Sequence, residues 1–163
     1  MKGRIFGRIF LLYALLMLAS VVFIEVFITD AVRSSHINDL RDHLLSQAML
    51  ISNDISFHDQ PALDELSRRF KEQTGSRVTI LALDGRVLGD SDTTSSHMEN
   101  HANRSEIQQS LLYGTGMSER YSETLHDDLL YVARTITRAG RPVGIVRLSM
   151  QLKRVNASIN ALR

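Results

Sequence analysis

Five side chains between residues 90 and 101 carry the functional groups that most often bind divalent metal ions. They comprise carboxylates and imidazoles close together in sequence: Asp90, Asp92, His97, Glu99 and His101. Carboxylate oxygens and imidazole nitrogens are the right ligand types for a divalent ion. Their spacing matches no standard metal-binding motif. The segment therefore predicts either a metal site or an ordinary polar loop.

Two arginines suggest a different kind of site, one for an anion. Arg134 and Arg147 lie in the last two long predicted strands. If both point to one face of the sheet, beneath the polar loop 91–103, they could hold an anionic ligand. The alternative is that each arginine pairs with an acidic side chain across the strands. No pattern places a serine nucleophile beside a histidine, so no catalytic residue is predicted.

Composition limits the classes of protein to which this chain can belong. The chain has 163 residues, a net charge of +1 and no cysteine. The small net charge predicts no nucleic-acid partner. The absence of cysteine excludes disulfides and thiolate metal sites. Apart from its apolar N-terminal part, the length suits one small domain.

The elements that position these side chains begin with an apolar segment, residues 9–28. At ~1.5 Å per residue in a helix, it covers the ~30 Å hydrocarbon core of a bilayer. Lys2, Arg4 and Arg8 precede it, so residues 1–8 are predicted to be a cytoplasmic leader and residues 29–150 an extracytoplasmic domain. A cleaved signal peptide is the alternative, but its apolar region would be shorter.

Residues 31–57 have apolar side chains at helical spacing and predict a stalk helix that continues the membrane helix. A heptad-like subset of its apolar residues predicts a stripe for a parallel dimer: Ile37, Leu40, Leu44 and Ile51. The same face could instead pack on the following domain, and we expect both uses, the membrane-proximal part for dimerisation and the distal part for packing on the sheet. Pro61 then opens a second predicted helix, residues 61–74.

The remaining residues predict a small sheet. Alternating and β-branched segments predict strands at 77–83, 86–90, 117–123, 129–137 and 142–149. Asn103 and Glu106 resemble a capping box that opens a helix between the second and third strands, with Ile107, Leu111 and Leu112 as its apolar face. Residues 150–163 predict a last helix. The order fits an α+β fold with a five-stranded antiparallel sheet of strand order 2-1-5-4-3.

Several segments together resemble a known family. The segments RVTILALDGRVLGDS, MENHANRSEI, YGTGMSERYS, LLYVARTI and GIVRLSM follow the membrane and stalk helices. This arrangement resembles the extracytoplasmic sensor of phosphate-regulon-type two-component sensor histidine kinases. That sensor is a PAS-like domain of the PDC or single-Cache type.

The resemblance implies a bacterial inner-membrane protein that passes a conformational signal across the membrane. It also implies a parallel homodimer, a second membrane span, and a kinase region that uses ATP and Mg and acts on a response regulator in a phosphorelay. The chain would then be the N-terminal sensory part of the kinase, and its input a small ligand or an envelope protein. Two alternatives are the sensor of a chemoreceptor or cyclic-dinucleotide enzyme, and a stand-alone anchored interaction protein.

Overall fold

The computed structural model describes residues 2–55, 63–122 and 127–152, which form three α-helices, one short 3-10 helix (Ser95–His97) and five strands. The helices are α1 (Lys2–Asp54), α2 (Leu63–Thr74) and α3 (Ser105–Tyr113). The strands are β1 (Arg77–Leu81), β2 (Val87–Asp90), β3 (Thr115–Ser122), β4 (Asp127–Arg138) and β5 (Arg141–Gln151). The chain divides into two compact units, Met1–Asp39 and Leu40–Arg163.

The first unit consists of the N-terminal part of α1. Within it, Phe10–Phe27 has a mean hydropathy of 2.5, and none of this segment is buried. Its length and composition are sufficient for a membrane span. This segment coincides with the predicted span at residues 9–28.

The second unit contains a five-stranded antiparallel sheet in the order β2-β1-β5-β4-β3, which confirms the predicted strand order and the α+β fold. β5 pairs with both β1 and β4, so it occupies the centre of the sheet. Ala139 and Gly140 both have positive φ in the turn that joins β4 to β5. This backbone geometry suits a tight two-residue hairpin.

The two faces of the sheet are covered by different helices. Directly opposed residues of antiparallel strands point to the same face, so Arg147 shares a face with its partners Thr79 and Ala133. We call this the α3 face, because Ile107 of α3 packs there in one buried cluster with Ala133. The opposite face carries Ile80 and its strand partner Gly89. We call it the α2 face, because Gly89 lies against Leu63 of α2.

The α2 face is wholly apolar at its centre. Its buried side chains include Val78, Ile80, Leu130, Val132, Val146 and Leu148. Gly89 of β2 opposes Ile80 on this face, and a Cβ there would overlap Leu63 of α2. The glycine therefore lets α2 lie close against the edge of the sheet.

The second part of α1 belongs to the same unit as the sheet. The Gln47 side-chain amide donates to the Thr74 carbonyl at 3.4 Å and accepts from the Ser76 hydroxyl at 3.3 Å. Three members of the predicted dimer stripe are buried within this single chain: Leu40, Leu44 and Ile51. Ile37 is half-buried. This burial agrees with the expected packing of the distal part of the stripe on the chain's own domain, and dimerisation through its membrane-proximal part stays a prediction.

Several element boundaries differ from the predictions. β1 ends at Leu81 because a turn begins at Ala82, whose N–H bonds the Arg86 carbonyl at 2.9 Å. α1 ends at Asp54 rather than at residue 57. β5 continues to Gln151, where the last helix was predicted to have begun. The predicted start of α2 and residues 153–163 lie outside the described residues.

Candidate functional site

The helix α3 begins differently from the sequence-based expectation. Its N-cap residue is Arg104, which makes no side-chain capping bond. The predicted capping box of Asn103 and Glu106 is therefore wrong. Glu106 is completely buried instead and, with Ile107, belongs to the buried face of the helix. Two predicted members of that face are exposed: Leu111 and Leu112.

The Glu106 carboxylate lies among three donors on the α3 face. The Ser118 hydroxyl donates to its Oε2 at 2.8 Å. The guanidinium of Arg120 donates to Oε1 at 3.3 Å, and that of Arg147 donates to the same oxygen at 3.4 Å. One carboxylate from α3 thus joins side chains from β3 and β5. We call these four residues the Glu106 cluster.

Arg147 is the most enclosed cation of the cluster, with 5% of its surface exposed. It also donates to the Thr79 hydroxyl at 3.3 Å. The Tyr131 ring centroid lies 4.4 Å from the Arg120 guanidinium carbon and 5.3 Å from that of Arg147. Such contacts stabilise cations by cation–π attraction. Burial lowers the pKa of Arg147, and the charge of Glu106 opposes this shift.

Arg134 does not join Arg147. In the β4–β5 register Arg134 opposes Val146, whereas Arg147 opposes Ala133. Adjacent residues of a strand point to opposite faces, so Arg134 lies on the α2 face and Arg147 on the α3 face. The anion site predicted from these two arginines is therefore corrected, because they cannot hold one ligand together.

Asp90 is fully buried and accepts hydrogen bonds from several sides. Arg77 donates through Nε and Nη2, at 3.2 and 3.0 Å, and the Thr79 hydroxyl donates at 2.8 Å. The backbone N–H groups of Asp92 and Thr93 donate at 2.9 and 3.0 Å. The Asp90 carboxylate thereby joins β2 to β1 and to the start of the following loop.

The other predicted metal ligands do not gather around Asp90. Asp92 forms a 2.8 Å ion pair with Lys71, while His97 and Glu99 are exposed. His101 is buried. Within residues 2–55, 63–122 and 127–152, no three His, Cys, Asp or Glu side chains form a group suited to a metal ion. The five predicted ligands therefore do not form a metal site.

His101 lies on the α3 side of the domain, and its backbone N–H bonds the Gly85 carbonyl at 2.8 Å. Its Nδ1 is buried without a hydrogen-bond partner. Burial, together with the charges of Arg147 and Arg104, lowers the pKa of His101 to about 4, against an opposing effect of Glu106. The imidazole is therefore neutral at physiological pH.

A pocket of about 160 Å³ is lined in part by Tyr131, whose ring contacts the guanidinium groups of Arg120 and Arg147. The groups that could bind a ligand are Lys71, Arg77, the Tyr131 ring and the Ser149 hydroxyl. Its remaining lining residues are Gly75, Asp92, Leu129, Met150 and Gln151. Both cations are paired, Lys71 with Asp92 and Arg77 with Asp90, so a small anionic group would share them with these carboxylates.

Sequence analysis did not identify Lys71, Arg77 or Glu106 as site residues. Lys71 lies in the last turn of α2, where a basic residue is explained by the helix dipole alone. Arg77 is the first residue of a strand, where it gives no pattern of its own. Glu106 matched a capping box, and that local pattern concealed its contact with β5 far along the chain.

Known proteins resemble this chain in fold. The family model described as single Cache-like matches residues 34–151. The sensor domain of E. coli DcuS is 12% identical over 77% of this chain and 98% of that chain, with a TM-score of 0.62. The sensor domain of the V. cholerae histidine kinase DctB is 17% identical over 76% of this chain, with a TM-score of 0.59.

The ligand-binding domain of the Campylobacter jejuni chemoreceptor Tlp3, in complex with 4-methylisoleucine, is 12% identical over 76% of this chain, with a TM-score of 0.58. The alignments cover 56% of the Tlp3 chain and 54% of the DctB chain, so this chain spans about half the length of those two. At these identities the likeness concerns the fold. No curated protein sequence matches the chain.

Proposed function

This chain belongs to the single Cache-like family, and from that premise we propose that it is the sensory part of a membrane-bound two-component histidine kinase of the phosphate-regulon type. The observation that carries the proposal is the order of its parts. An exposed apolar segment long enough to cross a bilayer precedes a Cache domain in one chain. The fold shared with DctB and DcuS supports a role as an input domain.

The proposed location is the bacterial inner membrane. Lys2, Arg4 and Arg8 precede the apolar segment, and positive residues flanking a span remain in the cytoplasm. The Cache domain then lies outside the cytoplasm. In this arrangement the ligand arrives from the envelope and the output is inside the cell.

The input is a small anionic ligand in the pocket beside the Glu106 cluster. Lys71 and Arg77 have N–H donors beyond those that pair with Asp92 and Asp90, and the Tyr131 ring with the Ser149 hydroxyl supplies an apolar surface and a hydrogen bond. A volume of about 160 Å³ is similar to that of a cavity that accepts benzene, at ~150 Å³. This size favours a ligand with few non-hydrogen atoms.

The signal leaves the sheet through α1. Arg138, at the end of β4, donates to the backbone carbonyls of Ser52 and Asn53 in the last turn of α1. A shift of the β4–β5 hairpin would therefore bias α1, which leads toward the membrane. The output would involve a parallel homodimer whose contacts lie before Leu40, a kinase region that uses ATP and Mg, and a response regulator.

The complete reading frame tests the assignment to a kinase. We expect a second span after residue 163, then a helix pair with a phospho-accepting histidine and an ATP-binding domain. The full protein in membrane vesicles should incorporate the γ-phosphate of ATP and transfer it to a response regulator. A reading frame without these segments, or vesicles without phosphotransfer, would contradict the proposal.

A separate experiment tests the pocket. Small carboxylates such as acetate and propionate are titrated against the chain in detergent micelles, with the neutral amides as controls, and binding is followed by calorimetry. Lys71→Ala, which leaves buried Asp90 paired with Arg77, should weaken carboxylate binding at least tenfold, whereas Arg141→Ala, an exposed arginine of the β4–β5 hairpin, should leave it unchanged. Equal binding of acids and amides would exclude an anionic ligand at this pocket.

A chemoreceptor is the second candidate output. The ligand-binding domains of the chemoreceptors Tlp3 and PctC share this fold, with TM-scores of 0.58 and 0.59. A reading frame that continues into a long helical hairpin, without an ATP-binding domain, would favour this alternative.

A further inference from the structure

We propose that the Glu106 carboxylate is a built-in anion, which fills an arginine-lined anion site from within the chain. In this arrangement α3 packs against the sheet without an external ligand at Arg147. Glu106 thereby restricts the binding of an outside anion to the neighbouring pocket. The inference concerns the protein's own side chains and is independent of the output that the chain controls.

The contacts are those expected at an anion site. The Ser118 hydroxyl and the guanidinium groups of Arg120 and Arg147 all donate to the same carboxylate. The side chain of Glu106 has no solvent exposure, and that of Arg147 has 5%. A charged group buried to this extent is tolerated only when it is paired. Arg147 therefore requires an anion beside it, and α3 supplies it; Arg120, whose side chain is 33% exposed, donates to the same carboxylate.

The arginines have further capacity to donate. The Nε atoms of Arg120 and Arg147 are buried without a hydrogen-bond partner. Two guanidinium groups face one carboxylate here, so the electrostatic environment between the arginines favours an anionic group at that position. If the Glu106 side chain is removed, an anion of similar size should occupy its place, because that anion would meet the same donors.

The backbone of α3 is fixed close to the sheet at this point. Gly116 of β3 lies against the Glu106 carbonyl, and a Cβ there would overlap that oxygen and approach the Gln109 Cβ to 2.7 Å. Ile107, the next residue of α3, packs in the buried cluster with Leu81. The helix thus holds Glu106 in place, and an outside anion would have to displace α3 to reach Arg147.

Chemical rescue tests the proposal. Glu106→Ala is prepared in the full chain in detergent micelles, and thermal unfolding is followed by far-UV circular dichroism. Removal of one partner from a buried ion pair should lower Tm by about 10 °C. Sodium acetate should restore several degrees of that loss, relative to sodium chloride at equal ionic strength. Acetamide, which is neutral and similar in shape, should restore none of it.

Two controls separate this effect from general salt stabilisation. The unsubstituted chain and Glu72→Ala, which alters an exposed glutamate on α2, should gain nothing from acetate beyond the effect of chloride. Glu106→Gln keeps the shape but not the charge. Its Tm should therefore fall, and acetate should not restore it because the amide still occupies the site.

A double variant provides a test if Glu106→Ala does not fold. Glu106→Leu with Arg147→Met replaces the charged pair by apolar side chains of similar volume, which is often neutral for stability. Its Tm should exceed that of Glu106→Leu alone, and acetate should not affect it. If acetate stabilises all variants equally, or if Glu106→Ala keeps the Tm of the unsubstituted chain, Glu106 is not a built-in anion.

Discussion

The guanidinium of Arg147 lies 3.4 Å from the Glu106 carboxylate, and both side chains are buried between α3 and the sheet. The two residues are far apart in sequence, so their contact joins α3 to the central strand β5. Buried ion pairs add little net stability, but removal of one partner is strongly destabilising. The contact therefore specifies where α3 packs.

Gly116 should be essential for that packing. A Cβ at this position would overlap the Glu106 carbonyl and lie 2.8 Å from the Ser110 nitrogen, both of which are α3 backbone atoms. We expect Gly116→Ala to lower the free energy of unfolding by about 2–3 kcal/mol, because α3 must shift. Urea unfolding followed by circular dichroism measures the loss.

Gly114→Ala is the matched control. Gly114 has a φ of 83° and nothing within 4 Å of an added Cβ, so only backbone strain opposes the substitution. That strain should lower the free energy of unfolding by about 1–2 kcal/mol. A smaller loss for Gly116→Ala than for Gly114→Ala would contradict the described approach of α3 to β3.

Stability should fall as the pH decreases from 7 to 5, partly because of His101. Its pKa is about 4 in the folded chain against 6.5 for the ordinary group. Between these values the unfolded chain binds a proton that the folded chain does not, so acid favours unfolding. The loss from this one group is about 2 kcal/mol between pH 7 and pH 5.

Urea unfolding at both pH values measures this effect. His101→Gln should reduce the loss between pH 7 and pH 5, whereas His97→Gln, at an exposed position, should leave it unchanged. Identical pH dependence in the His101 variant and the unsubstituted chain would show that the imidazole is not held neutral by burial.

Arg138 should stabilise the end of α1. Its guanidinium donates to the Asn53 carbonyl at 3.1 Å and to the Ile55 carbonyl at 3.4 Å, near the negative end of the helix dipole. Arg138→Gln should lower the free energy of unfolding by about 1 kcal/mol. It should also speed amide hydrogen exchange in the last turn of α1. Arg141→Gln is the control, and equal exchange in both variants would contradict the contact.

Asp90 and Asp92 should differ sharply in importance although they are close neighbours. Asp90 is fully buried and paired with Arg77, so Asp90→Ala should lower the free energy of unfolding by about 3–5 kcal/mol. Asp92 pairs with Lys71 near solvent, and Asp92→Ala should lower it by at most about 1 kcal/mol. Thermal unfolding of both variants measures the difference, and similar losses would argue against Asp90 as the centre of this network.

The fold could be predicted from sequence because its signals are local and periodic. Alternation in RVTIL and the β-branched segments after it located the strands. Strand order followed from the succession of elements. Helix and strand ends differed by a few residues, because turn hydrogen bonds such as that of Ala82 decide them.

The site was harder to predict because its contacts are long-range. Arg147 was identified as a candidate, but its partner proved to be Glu106, whose local context indicated a helix cap. Whether Arg134 and Arg147 share a face depends on one residue of register, and the structure assigns them to opposite faces. Buried ion pairs of this kind have no sequence period that would reveal them.

The central claim is that the Cache domain lies on the extracytoplasmic side of the membrane that the apolar segment spans. The chain has no cysteine, so a single introduced cysteine is a unique label. Ser96→Cys, at an exposed position of the short 3-10 helix Ser95–His97, and Gly3→Cys, before the span, are expressed in cells. In spheroplasts a membrane-impermeant maleimide should label the cysteine at 96 and reach the cysteine at 3 only after permeabilisation. The reverse pattern, or equal labelling of both before permeabilisation, would contradict the account.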